Sequence, residues 1–212
     1  TNVQIYESSS AQNQLFSIIN RDSSTDQIVT KMTYEELVAK MMSEAQKVTD
    51  FARQQGFTYG HASINPGFNW AELDPAKAIN KNEKLTSCDR LVDWVLYRTG
   101  FTDQQYKNGL VVYQMPAWLE SLNFQKITNV SALKAGDIVF VFDDATRPGM
   151  PRHVFICASS NLGGNVYLRY DHGSNARIKC VNGTEVTAGR QPCREVITGF
   201  YYAYRPCSDK MP

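Results

Sequence analysis

Cys88 opens the stretch Cys88-Asp89-Arg90-Leu91-Val92, behind Thr86-Ser87 and ahead of apolar residues at helical spacing. A cysteine in the first turn of a helix sits among unpaired backbone N–H groups at the positive end of the helix dipole, which favours the thiolate. The same N–H groups can stabilise an oxyanion. Two histidines follow on apolar runs: His153 begins His153-Val154-Phe155-Ile156, and His172 lies in Tyr170-Asp171-His172-Gly173-Ser174. A cysteine nucleophile, a histidine base and a polar residue that orients the base are the parts needed for acyl transfer through a covalent intermediate. Tyr59, in Phe57-Thr58-Tyr59-Gly60 ahead of the cysteine segment, is a further candidate to line such a site.

Each of these residues also has an ordinary structural reading. Cysteine is among the most buried residue types and is usually inert packing. A histidine at the mouth of a strand is commonly a satisfied structural residue, and His172 beside Gly173 fits a turn. His61 falls in a loop, Cys157 within an apolar strand, and Tyr59 suits a packing position with its hydroxyl satisfied. The order and context of the segments decide between the two readings, so the elements that carry them matter.

Helical spacing begins at Thr33-Tyr34-Glu35-Glu36, a capping start, and runs through Leu37, Met41, Ala45, Val48, Phe51 and Ala52 to Gly56. Residues 60–85 hold Pro66, Gly67 and Pro75 and read as an irregular loop. A second helix is expected over Ser87–Arg98, with Thr86 to Asp89 as its capping box, Leu91, Val92, Val95 and Leu96 as its apolar stripe and Gly100 as its end. A short helix is expected near Pro116–Leu122. From there the pattern turns to strands: Ile138–Phe142, His153–Ala158, Val166–Asp171, Ala176–Val181 and Ile197–Tyr204, separated by turn residues. Helices first and strands with short turns second predict an α+β fold, helices packed on a mostly antiparallel β-sheet. Residues 1–28 are rich in Ser, Gln and Asn and read as a polar extension or linker, although Ile5, Leu15, Phe16, Ile18 and Ile19 could dock part of it. Residues 29–207 form the expected catalytic domain and 208–212 a tail.

The 212 residues carry 22 Lys plus Arg against 21 Asp plus Glu, a net charge of +1, so the basic footprint of a nucleic-acid binder is missing. Hydrophobic residues make up 42%, enough for a substantial core, but no apolar run approaches the roughly 20 residues of a membrane span. Three histidines without an HExxH motif give little support for a zinc site, and no metal or organic cofactor is implied. Of the five cysteines, a free Cys88 leaves Cys157, Cys180, Cys193 and Cys207, which allow three complete pairings or none. Cys180 and Cys193 flank a hairpin-like loop and form one candidate bridge.

Taken in order, the segments resemble the NlpC/P60 superfamily of papain-like cysteine peptidases, the cell-wall hydrolases. The likeness runs from Tyr34 to Pro206. Phe57-Thr58-Tyr59-Gly60 is similar to the family's Tyr-x-Gly-Gly approach. Cys88 to Gly100 stands where the family has Asp-Cys-Ser-Gly and a helix ending in Gly. Leu133-Lys134-Ala135-Gly136-Asp137-Ile138-Val139-Phe140 is similar to its Leu-x-Pro-Gly-Asp strand start, and His153-Val154-Phe155-Ile156 to its His-Val-Gly-Ile.

The resemblance implies Cys88 as nucleophile, His153 as base and His172 as the residue that orients His153, with Tyr59 near the cysteine. Asp171 is the alternative orienter. Strand alternation puts it on the opposite face from His172, and His172 shares parity with Val166, Leu168 and Tyr170. Ser87 and Asp89-Arg90 depart from the family's neighbours of the cysteine, so Asp89 is a candidate substrate contact. Asp144, Arg147 and Trp70 lie in loops near the expected cleft. The implied activity is hydrolysis of an amide in the peptide part of bacterial peptidoglycan, between D-glutamate or isoglutamine and the diamino acid. An amidase cutting between glycan and peptide, a thiol acyltransferase and a non-catalytic wall-binding module are the rival readings. The implied setting is extracellular or wall-associated, with the stem peptide as partner and the chain acting as a monomer.

Overall fold

The computed structural model describes residues 15–20, 29–59, 85–101, 111–173 and 193–208. Part of the polar N-terminal stretch is folded. β1 (Leu15–Ile19) pairs antiparallel with β2 (Val29–Thr33), and its alternation buries Phe16 and Ile18. Thr33 then caps α1 (Tyr34–Gln54) through the expected capping box. Its hydroxyl accepts from the Glu36 N–H, and the Glu36 carboxylate accepts from the Thr33 N–H, each at 3.3 Å.

β3 (Thr58–Tyr59) leaves α1 and pairs in parallel with β4 (Leu85–Thr86), which leads directly into α2 (Cys88–Thr99). The sequence reading gave α2 one apolar stripe. In the fold it is buried almost all round, with only Arg90 partly exposed. The cause is its central place, between α1 and the sheet. One of the charges this buries is paired across the helices: Arg98 Nε donates to Glu44 Oε2 of α1 at 2.5 Å. Gly100 ends α2 at φ 98°, a conformation open to glycine, and a Cβ there would lie 2.2 Å from the carbonyl oxygen of Ile19. The same close approach lets the Ile19 N–H donate to the Gly100 carbonyl at 3.0 Å, which fastens β1 to the end of α2.

A 3₁₀ turn (Val112–Gln114) and α3 (Met115–Ser121) precede the main sheet. Its strands are β5 (Phe124–Ile127), β6 (Ile138–Asp144), β7 (Arg147–Cys157), β8 (Val166–Tyr170), β9 (Cys193–Val196) and β10 (Phe200–Pro206), all paired antiparallel in the order β5-β10-β6-β7-β8-β9. The architecture is α+β, helices with an antiparallel sheet. Both sheet faces are covered, which explains the continuous apolar runs of β6 and β7. Ile138, Phe140, Val154, Ile156, Tyr170 and Tyr204 join the helices in one core, while Val139, Val141, Phe155, Cys157, Tyr167 and Ala203 form a second. Asp137, ahead of β6, is fully buried and accepts two hydrogen bonds from Arg205 of β10, each 2.8 Å, and one from the Lys134 N–H. This Asp of the Leu-x-x-Gly-Asp segment thus anchors the start of β6. The strand expected over residues 176–181, with Cys180, lies outside the described residues, as do His61 and Trp70.

Candidate active site

Cys88 is the first residue of α2 and is 2% exposed. The expected capping box does not form. Ser87 is the N-cap but makes no side-chain cap, and its hydroxyl donates to Asp89 Oδ1 instead. The Thr86 hydroxyl is also taken, by His172. Ser87 therefore does not cap the first turn, and although the Arg90 N–H donates to Asp89 Oδ1 at 3.0 Å, the earlier amides are placed to serve an anion. β3 lies beside β4 with Tyr59 opposite Thr86, and this brings the half-buried Tyr59 close to the thiol. Burial, with the nearby charges of Cys88, Asp89 and Asp171, pushes its phenol above the ordinary value.

His153 sits in β7 beside the Cys88 side chain, near enough for the thiol to act on its ring. Its Nε2–H donates to Asp171 Oδ2 at 2.9 Å, which leaves Nδ1 to the thiol. Burial pulls the imidazole pKa down, but the charges of Asp171 and Cys88 and the hydrogen bond to Asp171 outweigh it and raise the value to about 10. The arrangement holds a protonated imidazole between two groups that are anionic when ionised.

His172 does not orient His153. It is fully buried, with Nδ1 2.9 Å from the Thr86 hydroxyl and Nε2 3.1 Å from the Thr49 hydroxyl of α1. A hydroxyl can donate or accept, so a single ring proton satisfies both contacts and ties the end of β8 to α1 and β4. Strand register supplies the reason. Ile156 pairs with Tyr170 and Cys157 with Arg169, so the continued register sets Asp171 opposite Phe155. Cross-strand partners share a face, and Phe155 shares one with His153. His172 points the other way, with Val154 and Ile156, toward the helices. The parity that Val166, Leu168 and Tyr170 share with His172 marks the helix-facing core, which is not the face of His153.

Two residues that the sequence reading passed over complete the surroundings. A Cβ on Gly173 would lie 2.9 Å from Asp171 Oδ1 and 3.1 Å from His153 Cε1, so the missing side chain makes room for the pair. Arg169, two residues before Asp171 on the same face, lies with Nε 3.6 Å from Asp171 Oδ2. A charged residue inside an apolar strand, at even spacing from an aspartate, was the available signal. Beside the site an open cleft of about 190 Å³ is lined by Asp89, Val112, Tyr113, Asp144, Pro151 and Arg152. It thus borders the chain neighbours of both Cys88 and His153. Hydrogen bonds from Thr146 hold the Asp144 carboxyl below its usual range, and Arg147 stacks 3.8 Å over the Tyr113 ring. Among the described residues no three His, Cys, Asp or Glu side chains are grouped to hold a metal ion. Cys157 is a free thiol that donates to the Ser159 carbonyl, and burial raises its pKa to about 12. No helix among the described residues is long and apolar enough to cross a membrane.

No family model, curated protein or solved structure matches this chain.

Proposed function

We propose that this chain is a cysteine hydrolase of the papain-like NlpC/P60 type. Its substrate would be the peptide part of bacterial peptidoglycan, and the bond the D-glutamyl (or isoglutaminyl)–diamino acid amide. The observation that carries the enzymatic part is the line Cys88–His153–Asp171, with a thiol at a helix start, an imidazole beside it and a buried carboxylate hydrogen-bonded to the imidazole. The wall substrate rests on the sequence resemblance of the segments around Tyr59, Cys88, Asp137 and His153.

In this reading the Cys88 proton resides on His153. The thiolate attacks the amide carbonyl, and the first-turn amides of α2 stabilise the oxyanion that forms. Collapse of the tetrahedral adduct breaks the C–N bond, and His153 gives its proton to the leaving amine. A thioester on Cys88 remains. Neutral His153 then takes a proton from water as the hydroxide attacks the thioester, and Cys88 leaves as the thiolate beside a protonated His153. Asp171 keeps the ring in the one orientation in which both transfers are possible.

The test is mass spectrometry of soluble fragments released from purified peptidoglycan by the wild type and by folded Cys88→Ala. Fragments cut within the stem peptide, from wild type only, are the expected result. Fragments cut between glycan and peptide would replace the endopeptidase with an amidase. Equal release by both proteins, or sacculus binding without release, would remove the thiol mechanism.

A further inference from the structure

We propose that Arg169, braced by Glu195, is a positioning residue that keeps Asp171 ionised and aimed at His153 throughout the catalytic cycle. The inference rests on the reading of Cys88 and His153 as a thiol and its base. Asp171 is fully buried. A buried carboxylate is stable only beside compensating charge and donors. His153 supplies both while it is protonated, but in the proposed cycle it gives that proton to the leaving amine. During that half of the cycle Asp171 would face a neutral ring. A cation that persists beside the carboxylate through that half of the cycle disfavours its protonation and keeps the imidazole held.

Arg169 is placed to be that cation. Its Nη2–H donates to Glu195 Oε2 at 2.6 Å, and its guanidinium lies 4.5 Å over the Phe155 ring. In the register of β8 with β9, Glu195 pairs with Tyr167 and Cys193 with Arg169, so Glu195 is the diagonal same-face neighbour of Arg169. Glu195 at one end and the ring beneath limit the motion of the guanidinium. Its Nε is buried without a hydrogen bond among the described residues, 3.6 Å from the same Asp171 Oδ2 that accepts from His153. Hydrogen bonds in unliganded sites are often long and tighten in the reacting complex. A small turn of the Asp171 carboxyl closes this one. Glu195, Arg169, Asp171, His153 and Cys88 thus form one line of alternating charge from the edge strand to the thiol. Among the described residues, Asp89 from α2, Tyr59 from β3 and Arg152 from β7 are further charged or titratable groups near it, and all stay in place in the test.

The test reads the rate at which iodoacetamide alkylates Cys88, followed as the mass of its peptide, against pH. It uses the full chain as wild type, Arg169→Met, Arg169→Lys and Glu195→Gln, each checked for native circular dichroism. Arg169→Met is expected to slow alkylation at neutral pH about tenfold and to move the profile to higher pH, as the imidazolium that stabilises the thiolate is lost. Arg169→Lys keeps the charge and restores most of the rate, and Glu195→Gln falls between. A folded Arg169→Met with the wild-type profile overturns the proposal, and so does an Arg169→Lys as impaired as Arg169→Met. Where Arg169→Met does not fold, Glu195→Gln decides: a displaced profile supports the proposal, and a wild-type one overturns it. Alkylation needs no peptidoglycan. A displaced profile without wall fragments from wild type leaves the network standing and removes the substrate, while wall fragments with an undisturbed profile do the reverse.

Discussion

At the residue scale the site depends on what Asp171 does to His153 and on how little room surrounds the pair. In the proposed mechanism His153 must carry a proton to release the leaving amine, and that proton is lost as pH rises through its raised pKa of about 10. Removal of the Asp171 charge removes a main cause of that elevation. Asp171→Asn is therefore expected to move the alkaline limb of kcat/KM toward neutral pH and to lower the rate about 10²-fold, read from a pH–rate profile. Gly173→Ala tests the space: a methyl group 2.9 Å from Asp171 Oδ1 and 3.1 Å from His153 Cε1 has to displace one of them. The expected outcome is a fall in kcat with near-normal stability, measured by turnover alongside a thermal melt. Cys88 and His153 were legible in the sequence, because a thiol at a helix start and a His-Val strand opening are local patterns. The choice between Asp171 and His172 was not. It depends on the register of β8 against β7, which no residue of β8 encodes alone.

At the element scale α2 carries the nucleophile, and its buried ends set where the thiol lies. Both long helices were legible by period, and the capping box of α1 formed as expected. The box of α2 did not, because the Thr86 hydroxyl has a stronger claim on it from the buried His172 ring than from a helix end. β1 and β5 escaped notice: five and four residues with one to two buried side chains leave almost no period to read. The clasp between β1 and the end of α2 yields a prediction. Gly100→Ala combines a left-handed backbone position with a Cβ 2.2 Å from the Ile19 carbonyl oxygen. It is expected to cost about 3 kcal/mol, measured by urea unfolding. Arg98→Leu alone leaves the buried Glu44 to the half-exposed Lys47 at 3.3 Å and is expected to cost about 2 kcal/mol. The double variant Glu44→Leu/Arg98→Leu should cost less than the sum of the single losses.

For the whole molecule, two buried groups tie stability to pH with the same sign. Burial and the neighbouring Asp89 raise Asp93 well above its ordinary value, so the folded chain holds a proton that the unfolded chain has released. Stability from this source falls as pH rises from about 4 through the raised folded value. His153 is raised from 6.5 to about 10, so its contribution is complete below 6.5 and is lost as pH climbs to about 10. Asp93→Asn should flatten the acidic part of the decline in unfolding midpoint and His153→Gln the alkaline part, both read from denaturant midpoints across pH. The distribution of the site along the chain also bears on synthesis. Cys88 belongs to the helical first half, whereas His153, Asp171 and the brace at Glu195 arrive on the last strands. If Cys88 and His153 act as proposed, a nascent chain emerging from the ribosome carries its thiol long before it has a base to arm it, and the centre matures only when the sheet closes. On the proposed reading, the chain spends most of its translation as an inert precursor.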